Sequence, residues 1–213
     1  MIIIGAKGLA KELLEIFYHK NETEDLHFYD DSSFNVPEKL YHQFPVLKNM
    51  GKVIELFKVD NRFIIGLGNP ELRKQMFEKF KLVGGVMVSA ISPLANIGHY
   101  GTSIGAGTIV MAGSFISNDV RLGIGCLINP NCTISHDTVI GDFVEISPGV
   151  QITGNCMVGD YASIGTNATI LPKVLVGERA VVGAGAVVTK QVPDGAIVVG
   201  VPAKEVRKNK TSH

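Results

Sequence analysis

Cysteine is scarce in this chain, and what there is argues against two common frameworks. The three cysteines, Cys126, Cys132 and Cys156, are odd in number and form no C-x-x-C pair, so neither a disulfide scaffold nor a cysteine-ligated zinc site is expected. Excess charge is also missing. Lys plus Arg and Asp plus Glu number 20 each, which leaves no broad footprint for nucleic acid or an anionic membrane surface. No apolar run approaches the roughly 18 residues of a membrane-spanning helix. The opening MIIIGAKGLAKE has no basic region ahead of a long apolar core, so no signal peptide is expected, and the chain is expected to be cytoplasmic. No Gly-x-Ser-x-Gly elbow occurs, which weighs against a covalent acyl-enzyme. Histidine is too sparse for a three-histidine metal centre, since only His99 and His136 accompany the periodic part of the chain, and no metal is expected.

What the chain does have is a period. From Ile104 to Val188 every sixth residue is Ile, Leu or Val, fifteen positions out of fifteen. Six fits neither an amphipathic helix, with its period of 3.6, nor a lone alternating strand, with its period of 2. It fits a parallel β-helix of hexapeptide repeats. The residue four after each aliphatic is small in all fourteen hexads from Thr108 to Ala186, so each hexad is expected to send one large and one small side chain inward. The three cysteines occupy that small slot and are expected to be core residues rather than reactive thiols. Three hexads make one coil of eighteen residues. Gly105, Gly123, Gly141, Gly159 and Gly177 recur at that spacing, at one corner, where glycine is expected to relieve a tight turn. Nearly five coils at about 4.8 Å each give a prism roughly 20–25 Å long.

Residues 1–85 lack the period and are expected to form a separate, small Rossmann-like α/β domain, with 86–213 forming the β-helix. Met1–Gly5, Leu26–Tyr29 and Phe63–Leu67 read as strands. Leu9 to about Tyr18 reads as a helix, and Asn69 and Pro70 start another whose apolar face is Leu72, Met76, Phe77 and Phe80. Ser32 to Met50 reads as an irregular, polar loop. The first strand and helix are joined by Gly5-Ala-Lys-Gly-Leu-Ala10. Its glycines suit either close approach to a diphosphate at the helix N-terminus or a plain tight turn. Asp30-Asp31 ends the second strand, where a carboxylate meets a sugar hydroxyl or base edge, or forms a solvated turn. Gly66-Leu-Gly68-Asn69 ends the third strand on the same rim.

His136 follows the register residue Ile134 by two positions and should project outward at a corner, with Asp137 beside it. Eighteen residues later the same column holds Gly154, which has no side chain. A base held by a carboxylate, beside a vacancy and a backbone N–H, suits acyl transfer; an ordinary exposed turn histidine is the plain alternative.

With these residues in place the chain resembles the hexapeptide-repeat sugar acetyltransferases, in particular the two-domain group that acetylates nucleotide-linked amino sugars. The matching segments are Ser135-His-Asp-Thr-Val-Ile-Gly-Asp-Phe143, Ile152-Thr-Gly-Asn155, Ile164-Gly-Thr-Asn167, Ile170-Leu-Pro172, Val182-Gly-Ala-Gly-Ala-Val-Val188 and Val199-Gly-Val-Pro-Ala-Lys204. In the front domain they are the Gly5 loop, Asp30-Asp31 and Gly68-Asn69. The resemblance implies a left-handed winding and an acetyl-CoA donor. His136 would be the general base, supported by Asp137, and the Gly154 amide would lie at the thioester carbonyl. Thr166 and Ala184 would line the coenzyme, and Lys7, Gly8, Leu9, Asp30, Asp31 and Gly68 would hold a nucleotide-sugar. It implies a homotrimer with the coenzyme between neighbouring prisms, with Lys204, Arg207, Lys208 and Lys210 either attracting its phosphates or forming a solvated tail.

The resemblance also has departures. Glu145 stands where the group often has a second histidine, and Gly8-Leu9 replaces a frequent Gly-His pair. The expected activity is N-acetylation of a nucleotide-diphospho amino-deoxy sugar for surface glycans. The alternatives are O-acetylation of a sialic-acid-like sugar and a non-catalytic scaffold that binds nucleotide-sugars.

Overall fold

The computed structural model describes residues 1–208, so Lys210 and His213 lie outside the described residues. The chain divides into two compact units, Met1–Ala90 and a second that begins at Ile91.

In the first unit the elements are β1 (Ile2–Ile4), α1 (Gly8–His19), β2 (His27–Tyr29), β3 (Lys39–Leu40), β4 (Phe44–Leu47), α2 (Met50–Phe57), β5 (Arg62–Ile65), α3 (Pro70–Leu82) and β6 (Val86–Met87). The sheet order is β3-β4-β2-β1-β5-β6, parallel except for the antiparallel β3–β4 hairpin. Ile2, Ile3 and Ile4 are all buried, so β1 is covered on both faces, as a parallel sheet requires. The order reverses direction between β1 and β5, and in such sheets ligands bind in the crevice outside the strand ends at that point. The loops that follow β1 and β5 flank it.

Two expectations are corrected here. The stretch from Ser32 to Met50 is not an irregular loop, because it contains β3, β4 and the start of α2. On α3, Leu72 is exposed and Arg73 is buried, so the helix turns Arg73 inward beside Phe80. The reason is a polar anchor: the Arg73 guanidinium donates to the Gly68 carbonyl.

The second unit is the β-helix. Two-residue strands stack into three parallel faces. The first runs through Ile109–Val110, Leu127–Ile128, Glu145–Ile146, Ser163–Ile164 and Val181–Val182. The second runs through Phe115–Ile116, Thr133–Ile134, Gln151–Ile152, Thr169–Ile170 and Val187–Val188. The third runs through Arg121–Leu122, Val139–Ile140, Met157–Val158 and Leu175–Val176. Like stacks on like, as in Val110 on Ile128 and Ile146 on Ile164. Every small-slot residue from Thr108 to Ala186 is buried, none more than 5% exposed.

The small slot does more than save space. At Thr108, Ser114, Cys126, Cys132, Thr138 and Cys156 a hydroxyl or thiol donates to the carbonyl fifteen residues on, at Gly123, Asn129, Gly141, Ser147, Thr153 and Leu171 respectively. Each bond ties one coil to the next inside the prism, where an unpaired carbonyl would be costly.

The glycine column at Gly105 also needs correcting. None of its five members has a positive φ; a β-carbon at Gly105, Gly123, Gly141 or Gly159 would instead meet backbone of the next coil at 2.5–2.6 Å or 2.8 Å. These glycines permit close stacking. The left-handed backbone falls two residues later, in a third six-residue register from Gly101 to Gly185. Eleven of its fifteen positions are Gly, Asn or Asp, the residues that tolerate it.

Candidate functional site

Each corner of the prism turns through a residue two past the aliphatic register, and its N–H takes no part in the backbone pairing between coils. At Ile124, Asp142 and Glu178 that N–H donates to a carboxylate of the next coil, at 2.9, 2.8 and 2.8 Å. At Pro130, Pro148 and Pro172 there is no N–H to satisfy. Among the described residues, the N–H groups of Gly154, Thr166 and Ala184 have no partner, and neither do those of Ala106, Ala112, Asn118, His136, Asp160 and Lys190 at the same kind of position. Gly154, Thr166 and Ala184 are the positions that the family resemblance would place at the coenzyme.

His136 and Gly154 share the corner between the second and third faces, one coil apart. The two are in direct contact: a β-carbon at Gly154 would lie 2.7 Å from His136 Cε1 and Nε2. The ring therefore occupies the space that the missing side chain leaves. Its other nitrogen, Nδ1, is 2.7 Å from Asp137 Oδ2. A carboxylate only accepts, so Nδ1 carries a proton, and in the neutral ring Nε2 presents its lone pair. Asp137 reaches back to its own neighbour because it lies in the left-handed register, at φ 57. The His136 and Asp137 side chains are 61% and 55% exposed, open to a substrate.

Thr166 and Ala184 stack one coil apart on a different corner, between the first and second faces. Glu145 projects from the first face, which is opposite the His136 corner. A single chain thus brings together His136, Asp137 and Gly154, but not Thr166, Ala184 or Glu145.

The first unit carries the other candidates. Lys7 provides no side-chain cap to α1, and among the described residues the N–H groups of Gly8 and Leu9 have no partner. Such first-turn donors suit an anion. The loops after β1 and β5 close on one another through glycine: a β-carbon at Gly66 would stand 2.6 Å from Ala10 Cα, and one at Gly5 would stand 3.0 Å from the Gly66 carbonyl oxygen. Asp30 Oδ1 accepts from the N–H groups of Ser32 and Ser33 at 3.2 and 2.9 Å, shaping the turn after β2. Asp31 Oδ2 accepts from the Tyr29 hydroxyl and from Lys79 Nζ, the latter at 2.8 Å. The Lys79 hydrogen bond, then that of Tyr29, holds the Asp31 carboxyl below its ordinary range, and Asp31 in turn raises Lys79. Burial, then Asp31, pushes the Tyr29 phenol up.

The sequence reading missed Lys79 and Tyr29, and gave Arg73, in the matching segment Glu71-Leu-Arg73, no buried role. Arg73 was legible only as a residue three past Pro70. Lys79 and Tyr29 lie fifty positions apart, and no local pattern links them. The left-handed register was visible as recurring Gly, Asn and Asp and would have identified Asp137 as a turn residue. Of the C-terminal basic residues, Lys204, Arg207 and Lys208 belong to a strand, Lys204–Lys208, paired antiparallel with Ala196–Val199. Among the described residues, no three His, Cys, Asp or Glu side chains converge as a metal site would need, and no helix is long and apolar enough to cross a membrane.

Residues 1–80 match the PglD N-terminal domain family, and residues 119–154, 137–172 and 155–190 match the bacterial transferase hexapeptide family of six repeats. A search of curated proteins found no match. Among solved structures, the chain is similar to perosamine N-acetyltransferase from Caulobacter crescentus, in a histidine-to-asparagine variant complexed with CoA and GDP-perosamine. The identity is 29%, the TM-score is 0.88, and 97% of this chain and 96% of that one are covered. It is also similar to the acetyltransferase domain of PglB from Neisseria gonorrhoeae FA1090, with 30% identity, TM-score 0.87 and coverage of 96% and 98%. WeeI from Acinetobacter baumannii AYE aligns over 96% and 98% with 28% identity and TM-score 0.85.

Proposed function

From the membership of this chain in the two-domain, left-handed β-helical hexapeptide acetyltransferases, we propose that it transfers an acetyl group from acetyl-CoA to the amine of a nucleotide-diphospho amino-deoxy sugar. The observation that carries the reading is the contact of His136 with Gly154, with Asp137 fixing the ring. The sugar amine attacks the thioester carbonyl while His136 Nε2 takes its proton. The oxyanion that develops is met by the free Gly154 N–H. The C–S bond then breaks, and the coenzyme thiolate recovers the proton from the imidazolium. No covalent acyl-enzyme is needed, and all three cysteines are buried away from this corner's surface.

The front domain supports a nucleotide-diphosphate acceptor. The uncapped start of α1, with Lys7, Gly8 and Leu9, lies beside the switch-point crevice. Gly68 is held there by Arg73, and Asp30 and Asp31 end β2 on the same rim. GDP-perosamine is the nucleotide-sugar in the Caulobacter complex, which favours an amine over a hydroxyl acceptor. The separation of Thr166 and Ala184 from His136 by a whole face supports a trimer in which neighbouring prisms complete each site.

The test is consumption of acetyl-CoA against a panel of UDP-, GDP- and dTDP-linked amino sugars, with sialic acid as the hydroxyl acceptor. Turnover with an amino sugar is expected. Turnover only with sialic acid would favour O-acetylation, and no turnover alongside nucleotide-sugar binding would favour a scaffold.

A further inference from the structure

A groove of about 340 Å³ separates α1 from the β3–β4 hairpin in the first unit. Lys11, Glu15 and Tyr18 line it from the helix, and Tyr41 and Gln43 line it from the hairpin. Leu14 and Phe44, both nearly buried, form its floor. Gln43 and Phe44 stand at the start of β4, and Thr23 closes the groove just ahead of β2, so it opens at the amino ends of these two parallel strands. The switch-point crevice lies outside the carboxyl ends. None of Lys7, Gly8, Leu9, Asp30, Asp31 and Gly68 lines the groove.

The hairpin tip is strained. Tyr41 and His42 both lie in left-handed backbone, at φ 51 and 57, and the Gln43 N–H closes the turn on the Leu40 carbonyl at 3.0 Å. Asn-Gly would take this turn without strain. Burial does not compensate Tyr41, which is 62% exposed. The turn instead holds the Tyr41 ring at the groove, with Lys11 Nζ 6.0 Å from its centre. Strained residues of this kind collect at ligand sites.

The polar groups of the groove are uncommitted. Lys11 and Glu15 have the order and spacing at which Lys74 and Glu78 pair on α3, yet among the described residues they form no ion pair. The side chains of Glu15, Thr23 and Gln43 make no hydrogen bond among the described residues. One charge of each sign disfavours a strongly charged ligand of either sign. The exposed rings of Tyr18 and Tyr41 offer flat apolar faces with polar groups around them. A pyranose has the matching chemistry: C–H groups on one face, and a rim of hydroxyls that each donate and accept. A second cavity of about 290 Å³ shares Thr23, Gln43 and Phe44 and continues past Pro45. Each cavity is at the small end of small-molecule sites, which span roughly 300–1,000 Å³, and two in line suit two linked rings.

We propose that this groove binds a neutral glycan, with one pyranose stacked on Tyr41 and its hydroxyls bonded by Glu15, Thr23 and Gln43. None of these residues takes part in the acetyl-transfer site proposed above.

The test is saturation-transfer NMR on the full chain with methyl glycosides of glucose, galactose and N-acetylglucosamine, and with maltose, cellobiose and N,N′-diacetylchitobiose. These sugars carry neither a free amine nor a nucleotide. Saturation should reach the ring C–H protons of at least one methyl glycoside, and those of a matching disaccharide more strongly. Tyr41→Asn keeps the left-handed turn, which asparagine tolerates, so it should melt no lower than wild type, retain acetyl transfer and lose the signal. Glu15→Ala, at an exposed helical position that favours alanine, should weaken the signal. A wild type that passes saturation to none of these sugars overturns the proposal. A signal undiminished in both variants also overturns it, because the sugar would then lie elsewhere.

Discussion

His136 rests on the bare α-carbon of Gly154, one coil above it, so closely that a single added methyl would meet two ring atoms at 2.7 Å. Gly154 does not have a positive φ, so its backbone would accept alanine and the clash is purely between side chains. Gly154→Ala should therefore leave the thermal midpoint within a few degrees of wild type. It should lower kcat at least about tenfold by displacing the ring from its place beside Asp137. Steady-state kinetics beside a melting curve would check this.

Asp137 does two jobs, turning the backbone and orienting the ring. Asparagine keeps the left-handed conformation and removes only the charge. Asp137→Asn should thus fold normally and lose kcat by a smaller factor than removal of the imidazole. A melting midpoint lowered by many degrees would mean that the carboxylate serves the fold.

The thiols should be silent in the native protein. Cys126, Cys132 and Cys156 are fully buried, each with its sulfur directed to a carbonyl of the next coil. Burial pushes the Cys132 thiol up to about 11. A thiol reagent at neutral pH should react with none of them until denaturant is added, and acetyl transfer should persist in its presence.

The Asp31–Lys79 pair gives the first unit a pH signature. Lys79 holds Asp31 below its ordinary value of 3.8, so this contribution is present above that value and is lost as pH falls through the lowered one. Lys79 is raised above its ordinary 10.5 by the same bond, so its contribution is lost only as pH rises through the raised value. Asp31→Asn should cost about 0.5–1 kcal/mol at neutral pH, the scale of a half-exposed pair. The difference from wild type should vanish in acid, as read by denaturant unfolding from neutral pH to about pH 2.

The β-helix was legible because each hexad repeats one local problem, and repetition makes the solution visible. The column arithmetic that set Gly154 over His136 needed no structure. The purpose of the glycine column was not legible, since contact between coils and left-handed turns both call for glycine, and only the backbone angles separate them. The β3–β4 hairpin stayed hidden for a related reason. Its turn residues, Tyr41 and His42, are both left-handed, where Asn-Gly would normally announce such a turn, and β4 contains Pro45. The inward turn of Arg73 was not legible because a helical pattern ranks side chains by polarity, which put Leu72 rather than Arg73 on the apolar face. The bond to the Gly68 carbonyl, which turns it inward, belongs to tertiary structure.

The most direct test of the central claim is the turnover of His136→Ala with the nucleotide-linked amino sugar that the wild type accepts, measured alongside its CoA affinity. A general base predicts a fall in kcat of at least about 10²-fold with CoA binding and melting unchanged. Turnover near the wild-type rate would contradict the account, because the three atoms nearest the β-position of Gly154 all belong to the His136 ring.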